Sequence, residues 1–406
     1  MDTGSIAWGL TATALVLFMT PGVAFFYGGL VKAKSVVSMM MMSFGALGLI
    51  TVLWILYGFN MSAVDGPTQF AGNPFSDFGL GSLATGETGN LDLLGATYGA
   101  TFAIITVALI SGAVADRAKF GSWMIFAGIW ATLVYFPVAA WVWGGGWIMN
   151  LGETLGLPGV IDYAGGTAVH INAGAAALAL ALVLGKRIGF QKGITKPHNV
   201  PLVLLGASIL WFGWFGFNAG AEWLNGLANV GLIVVNTLGA TAAAILGWLI
   251  VEKIKDGKAT SVGAASGAVA GLVAITPACA NLEPGWALLL GVMAGAVCAM
   301  AIEMKFKFGF DDSLDVVGIH LVGGVIGTLY LGFFAIGTGL FVGGDLGQLA
   351  VQAIAAFAVL LYSFVVAYLL GLAIEKTVGF RVNNEDEVAG IDTSVHGEEG
   401  YALANV

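Results

Sequence analysis

The chain has 406 residues, of which 58% are hydrophobic and only 10% are Asp, Glu, Lys or Arg. Soluble domains carry about 25% charged residues, so this chain has too little charge to cover a water-facing surface of its size. The net charge of −9 excludes a nucleic-acid binder and the two cysteines exclude a disulfide scaffold, which leaves an integral membrane protein.

Eleven stretches are long and apolar enough to cross about 30 Å of hydrocarbon as helices. In chain order they cover 6–31, 36–63, 92–115, 120–143, 162–185, 199–221, 226–251, 260–280, 285–304, 314–336 and 349–375. Their apolar runs do not alternate with polar residues, as the strands of a transmembrane barrel would. The first stretch lacks a basic n-region and a small-residue cleavage site, so we expect it to be retained. The sequence predicts an all-α membrane protein.

The basic residues predict the orientation of the chain. All fifteen follow odd-numbered spans: Lys32, Lys34, Arg117, Lys119, Lys186, Arg187, Lys192, Lys196, Lys253, Lys255, Lys258, Lys305, Lys307, Lys376 and Arg381. Because Lys and Arg are retained on the cytoplasmic side, we expect an outside N-terminus and a cytoplasmic C-terminus in the plasma membrane. We expect residues 1–377 to form one transmembrane domain, and 378–406 to form an acidic tail that is either simply solvated or regulatory.

The same spacing between an aspartate and a histidine occurs twice in the sequence. Asp162 precedes His170 by eight residues in span five, and Asp312 precedes His320 by eight residues at the start of span ten. Five spans separate the two copies, so they cross the membrane in opposite directions, as in transporters with inverted repeats. The sequence predicts an inverted 5+5 repeat followed by one extra C-terminal helix.

His170 and His320 are predicted to lie near the middle of the bilayer, because each is about 12 Å along its helix from its Asp. Ionisable groups at that depth are expensive and are functional candidates. Three interpretations are open: structural histidines bonded to neighbouring helices, a bis-His haem site, or a hydrogen-bonded neutral pair lining a narrow lumen. We favour the neutral pair, which offers donor and acceptor sites without repelling a weak base.

Other candidates lie toward the predicted outer ends of the spans. Asp162 either caps the start of span five or stabilises a cation at the outer mouth. Tyr98 and Phe102 share one helix face, and Trp143 and Phe217 lie beside glycines. These rings form either an interfacial belt or, as we favour, a cage whose faces attract a small cation. No Walker A motif occurs, so we do not expect ATP-driven transport, and no HExxH or CxxC motif predicts a metal site. We expect neither an enzyme nor a cofactor.

Several longer runs resemble the Amt/Mep/Rh family of ammonium transporters, essentially from end to end. They are Pro21–Gly29, Trp143–Gly146, Asp162–Gly166 with His170, Gly185–Arg187, Trp214–Gly220, Ile275–Ala278 and Asp315–His320. The resemblance implies eleven helices, an outward N-terminus and a homotrimer with one pore per subunit. It also implies that the tail couples the subunits and docks a PII-type signalling protein.

The resemblance further implies roles for residues along one path. These are a cation-recruiting site at Tyr98 and Trp143, a stacked gate at Phe102 and Phe217, a lumen-lining pair at His170 and His320, and support from Asp162. Many family members carry Ser where this chain has Ala221, so we expect an outer substrate-binding site that either binds ammonium more weakly or depends on Trp143 and backbone carbonyls.

We therefore expect capture of ammonium or methylammonium, loss of the proton, and conduction of the neutral base. Burying a bare ion costs tens of kcal/mol by Born estimates, whereas ammonia is neutral. The alternative in another class is a sensor that binds ammonium and signals through the tail.

Overall fold

The computed structural model describes residues 2–66, 69–86, 89–190 and 196–401, so Lys192 and the last five tail residues lie outside the described residues. The regular structure of these ranges is helical, apart from one isolated bridge between Ala118 and Arg381. The all-α prediction is confirmed.

Eleven apolar helices follow one another along the described chain. They are α1 Thr3–Leu30, α2 Ala33–Met61, α3 Leu91–Val114, α4 Phe120–Val142, α5 Gly166–Leu184, α6 Val200–Leu224, α7 Val230–Lys255, α8 Ser261–Ile275, α9 Pro284–Phe308, α10 Val317–Phe334 and α11 Gly347–Thr377. Ten of them have the length of a membrane span, whereas α8 has 15 residues and continues as turns. These eleven helices coincide with the eleven predicted stretches.

The two candidate histidines lie on matching local structures. His170 lies in a π-helical turn at the start of α5, and His320 lies in a π-helical turn at the start of α10. Asp162 accepts backbone N–H groups from the first turn, and Asp312 accepts the N–H of Val317 at 2.7 Å in the second. The local match agrees with the repeat predicted from the Asp–His spacing.

Small residues let α7 and α9 pack with their backbones in contact. A Cβ added at Gly291 would overlap the carbonyl oxygen of Ala240, and one added at Gly295 would overlap that of Ala244. Both pairs are spaced by four residues, so one face of α9 fits against one face of α7 over a full turn. This small-residue packing is typical of membrane helices, which gain little from burying apolar surface against each other.

The tail packs against the loops that follow α1, α3 and α5. Its Phe380 is fully buried, and the Phe380 carbonyl accepts the N–H of Lys119 at 2.8 Å. Arg381 donates to the carbonyl oxygen of Leu184 at 2.9 Å. Asp392 accepts the N–H groups of Val37 and Ser38 at 3.0 and 2.8 Å. These loops and the tail therefore share one side of the molecule, which we call the basic face.

Glu387 anchors a short tail helix, α12 (Asn384–Ala389). Its buried carboxylate accepts from Arg381 at 2.6 and 3.0 Å and from the backbone N–H of Ile188 at 2.6 Å. Because Arg381 is only 21% exposed, the ion pair is partly protected from solvent screening.

We predict that Glu387→Gln loosens the tail, because it removes one partner of this pair at a cost on the order of 2 kcal/mol. Limited proteolysis followed by mass spectrometry should show tail cleavage at least severalfold faster than in the unmodified protein. Glu385→Gln is the matched control, since Glu385 lies on the same helix and is exposed. Equal cleavage rates in the two variants would show that Glu387 does not hold the tail.

Candidate substrate pathway

An aromatic cavity of about 390 Å³ opens on the face opposite the basic face. Five of the predicted site residues line it: Tyr98, Phe102, Trp143, Phe217 and Ala221. Trp54, Phe59, Tyr135 and Tyr163 contribute further rings. The predicted rings, which come from three separate helices, thus surround one space, and this concave arrangement suits a small cation.

Two phenylalanine rings close the bottom of the aromatic cavity. Phe102 and Phe217 stack with their centroids 4.2 Å apart and their planes at 21°. Tyr98 and Trp143 meet Phe102 edge-on at 5.0 and 6.1 Å. Phe217 also lines the next cavity along the path, so its ring separates the two spaces.

Backbone hydrogen bonds fix two of the cavity rings. The Tyr98 hydroxyl donates to the carbonyl oxygens of Gly216 and Phe217 at 3.0 and 3.2 Å. The Trp143 indole N–H donates to the carbonyl oxygen of Asp162 at 2.8 Å. With their polar atoms bonded to the backbone, these side chains present their ring carbons to the cavity.

The buried carboxylate of Asp162 caps the start of α5. It accepts the backbone N–H groups of Gly165, Gly166, Thr167 and Ala168 at 2.6–3.2 Å, and the Thr167 hydroxyl also donates to it. Asp162 is not among the residues that line the aromatic cavity. Its bonds are those of a helix cap, which satisfies N–H groups that have no partner within the helix.

Below the gate lies a lumen of about 10 Å³. Its wall contains His170, His320 and Phe217, together with apolar side chains such as Val23, Ile105 and Val269. A space of this size is close to the minimum that holds one water molecule. The lumen is therefore narrow, largely apolar and bordered by two imidazoles.

The two imidazoles are in direct contact. The Nδ1 atoms of His170 and His320 are 3.2 Å apart, and the rings are nearly parallel with centroids 5.3 Å apart. Trp214 stacks on the His170 ring at 5.5 Å and donates its N–H to the Thr276 hydroxyl at 2.9 Å.

The Nδ1–Nδ1 contact has a chemical consequence. A hydrogen bond between these atoms requires one Nδ1 to donate and the other to accept, so one Nε2 is left as an acceptor and the other as a donor. The Nε2 of His170 is buried without a hydrogen-bond partner within the described structure. The direct contact also leaves no space between the rings for a haem, so the bis-His interpretation does not fit.

A cavity of about 200 Å³ opens on the basic face. Arg187 bonds Asp311 at 2.9 Å and Asp116 at 3.0 Å on its wall. Burial alone would raise the pKa of Asp311, but the hydrogen bonds and charge of Arg187 outweigh burial and hold this pKa below its usual 3.8. The carboxylate thus stays ionised at neutral pH and the ion pair persists.

Sequence reasoning missed two residues beside the aromatic cavity. Tyr163 lines the cavity and donates its hydroxyl to the buried carboxylate of Glu222. The two missed residues are Tyr163 and Glu222. The sequence signal that could have indicated Glu222 is its position, because it is an acidic residue directly after the Phe217–Ala221 run, on the side that carries no Lys or Arg.

Comparisons with known proteins agree with this architecture. The chain is 52% identical to an ammonium transporter of Mycobacterium tuberculosis, over 99% of this chain and 91% of that protein. It is 41% identical to the ammonium transporter Amt1 of Archaeoglobus fulgidus, over 99% and 100%.

Solved structures show the same fold. Mep2 of Saccharomyces cerevisiae superposes with a TM-score of 0.82 at 33% identity, covering 95% of this chain and 91% of that chain. A sensor Amt protein superposes with a TM-score of 0.87 at 28% identity, covering 96% and 97%. The family model described as Ammonium Transporter Family matches residues 7–401. The chain belongs to the ammonium transporter family.

Proposed function

We propose that this chain captures ammonium at the aromatic cavity and conducts ammonia along the two histidines, after the cation has released its proton near the phenylalanine gate to the solvent that enters the cavity mouth. The observation that carries the proposal is the order of the parts. A 390 Å³ aromatic cavity, a stacked pair of rings and a 10 Å³ lumen with two imidazoles follow one another and share Phe217. Under this proposal the chain acts as a transporter and not as an enzyme.

The narrow, largely apolar lumen favours passage of a neutral molecule. An ammonium ion in the lumen would lose its hydration shell and gain little in return, because most of the wall is apolar. Ammonia and methylamine carry no charge, and they can exchange hydrogen bonds with the donor and acceptor Nε2 atoms. Potassium has no proton to release, so it stops at the gate.

Asp162 supports this entrance in two ways under the proposal. Its carbonyl oxygen holds Trp143 in the cavity wall, and its carboxylate orders the turn that carries His170. The negative charge of the carboxylate also favours arrival of a cation and its deprotonation, although the carboxylate does not line the cavity. Ala221 lines the cavity without a hydroxyl, so rings and backbone oxygens supply the contacts there.

We further propose that the basic face is cytoplasmic in the plasma membrane, with the N-terminus outside. The distribution of all Lys and Arg supports this orientation. The family resemblance supports a homotrimer with one pore per subunit. The tail, ordered against three loops of the basic face, is the proposed docking segment for a PII-type protein.

A second candidate function is ammonium sensing, which the likeness to the sensor Amt protein favours. In that case the aromatic cavity would bind the cation and the tail would transmit the signal. Both candidates require cation binding, and only the transporter requires flux.

Reconstituted vesicles distinguish the two. We predict that the full chain accelerates labelled methylammonium uptake at least tenfold over protein-free vesicles, with unlabelled ammonium competing. Current recorded on the same preparation reports whether the proton follows its base. Ammonium binding without any acceleration of uptake would reject transport and leave the sensor.

A further inference from the structure

The rings of the aromatic cavity attract a cation, and no carboxylate is among the described residues that line its wall. The carboxylate of Asp162 is taken up by four backbone N–H groups and one hydroxyl. A further carboxylate, that of Glu222, lies directly behind the wall. We propose that Glu222 adds negative charge to that of Asp162 at the cation-receiving cavity and acts on the cation through the ring of Tyr163. This inference rests on the proposed function of the cavity.

The contacts of Glu222 connect it to the cavity. Its Oε1 accepts the hydroxyl of Tyr163, whose half-buried ring lines the cavity, and its Oε2 accepts the N–H of Asn229 at 2.7 Å. Its own backbone carbonyl accepts the N–H groups of Asn225 and Leu227 at 2.9 and 3.0 Å. Both carboxylate oxygens are therefore held by hydrogen bonds, next to a turn that the Glu222 carbonyl closes.

Glu222 has no basic partner. Its residue is fully buried, and none of the ion pairs between described residues involves it. The sequence contains no Lys or Arg between Lys196 and Lys253. Hydrogen bonds from Tyr163 and Asn229 satisfy both carboxylate oxygens but leave any negative charge of the group without a neutralising cation. A cation in the adjacent cavity would therefore be attracted toward Glu222.

Tyr163 connects the Glu222 carboxylate to the cavity, because its hydroxyl bonds the carboxylate and its ring lines the cavity. A phenol that donates to a carboxylate forms a charge-assisted hydrogen bond, which shifts electron density into its ring. A ring richer in electrons attracts a cation more strongly. Glu222 also lies directly after Ala221, the cavity residue that lacks a hydroxyl. The pair of Tyr163 and Glu222 thus adds the polar component that Ala221 does not provide.

The mechanism predicts which quantity changes. Glu222 attracts any small cation, so it sets how much ammonium occupies the cavity, whereas the histidines below the gate determine what passes. Glu222→Gln keeps the size of the side chain and removes its charge. In reconstituted vesicles we expect the half-saturating methylammonium concentration to rise at least fivefold, the maximal rate to stay within twofold, and the selectivity over potassium to stay unchanged.

Glu153→Gln is the matched control, because Glu153 is exposed on the short helix Leu151–Leu155 between α4 and α5, and its replacement removes the same charge. We expect no shift in half-saturation for it. Tyr163→Phe keeps the ring and removes the hydrogen bond, so a shift of twofold or more in the same direction is expected. Tyr163→Phe also decides the matter if Glu222→Gln does not assemble in the membrane.

Three outcomes overturn the inference. They are an unchanged half-saturating concentration in Glu222→Gln, an equal shift in Glu153→Gln, and a fall in maximal rate without a shift, which indicates a structural role only. Failure of the proposed function looks different, since the unmodified chain would then not accelerate methylammonium uptake at all.

Discussion

Replacement of His320 by Asp is expected to let potassium through the lumen. The lumen now excludes cations because its wall offers no full negative charge to replace the hydration shell. A carboxylate at position 320 supplies that charge within a space of about 10 Å³. We expect a potassium current at least tenfold above that of the unmodified protein, recorded in planar bilayers at equal protein density. His170→Asp is expected to act in the same direction.

His320→Asn is the control for this prediction. It shortens the side chain as Asp does but adds no charge, so ammonia flux should fall without any potassium current. If His170→Asp and His320→Asp both keep the original preference for ammonium over potassium, the histidine pair is not the selectivity filter.

Gly295→Val is expected to abolish the folded protein. The added carbons would overlap the carbonyl oxygen of Ala244, so α7 and α9 would have to separate along the face they share. Overpacking of this kind against rigid backbone costs about 3 kcal/mol or more, a large part of the stability of a typical domain. Size-exclusion chromatography of the purified membrane extract should show a monodisperse peak reduced at least tenfold.

The same change at Gly285 provides the comparison. Gly285 lies in the first turn of α9, and a Cβ there meets nothing within 4 Å. Gly285→Val should therefore give a nearly normal yield. Comparable yields from both variants would mean that the α7–α9 contact is not the constraint described here.

The sequence predicted the helices well and their irregular starts poorly. Hydropathy identifies a span because about 20 apolar residues are needed to cross the bilayer, and each of the eleven stretches overlaps one of the observed helices. The predicted start of span five, at residue 162, precedes the observed start at Gly166. The difference arises because Asp162 turns its carboxylate onto the first helical N–H groups. A π-helical turn has no hydropathy pattern of its own, so neither histidine turn was foreseen.

The sequence also predicted some residues of the candidate site and missed others. The repeated Asp–His spacing and the resemblance singled out His170 and His320, which the structure brings within 3.2 Å of each other. For Glu222 the sequence offered only its position directly after Ala221 on the side without Lys or Arg. Its environment depends on Tyr163, 59 residues away in the chain, and a single acidic residue at a helix end is normally solvated. Only the folded arrangement shows that it is buried beside the cavity.

The small volume of the lumen also limits how solute molecules can move through it. A passage with room for about one water-sized molecule does not let two solutes exchange places. Solute molecules would have to move in single file, so molecules that cross in one direction would delay molecules that cross in the other. Isotope exchange at equal concentrations on both sides should therefore be slower than net flow down a gradient, whereas a wide channel would give equal permeabilities for the two.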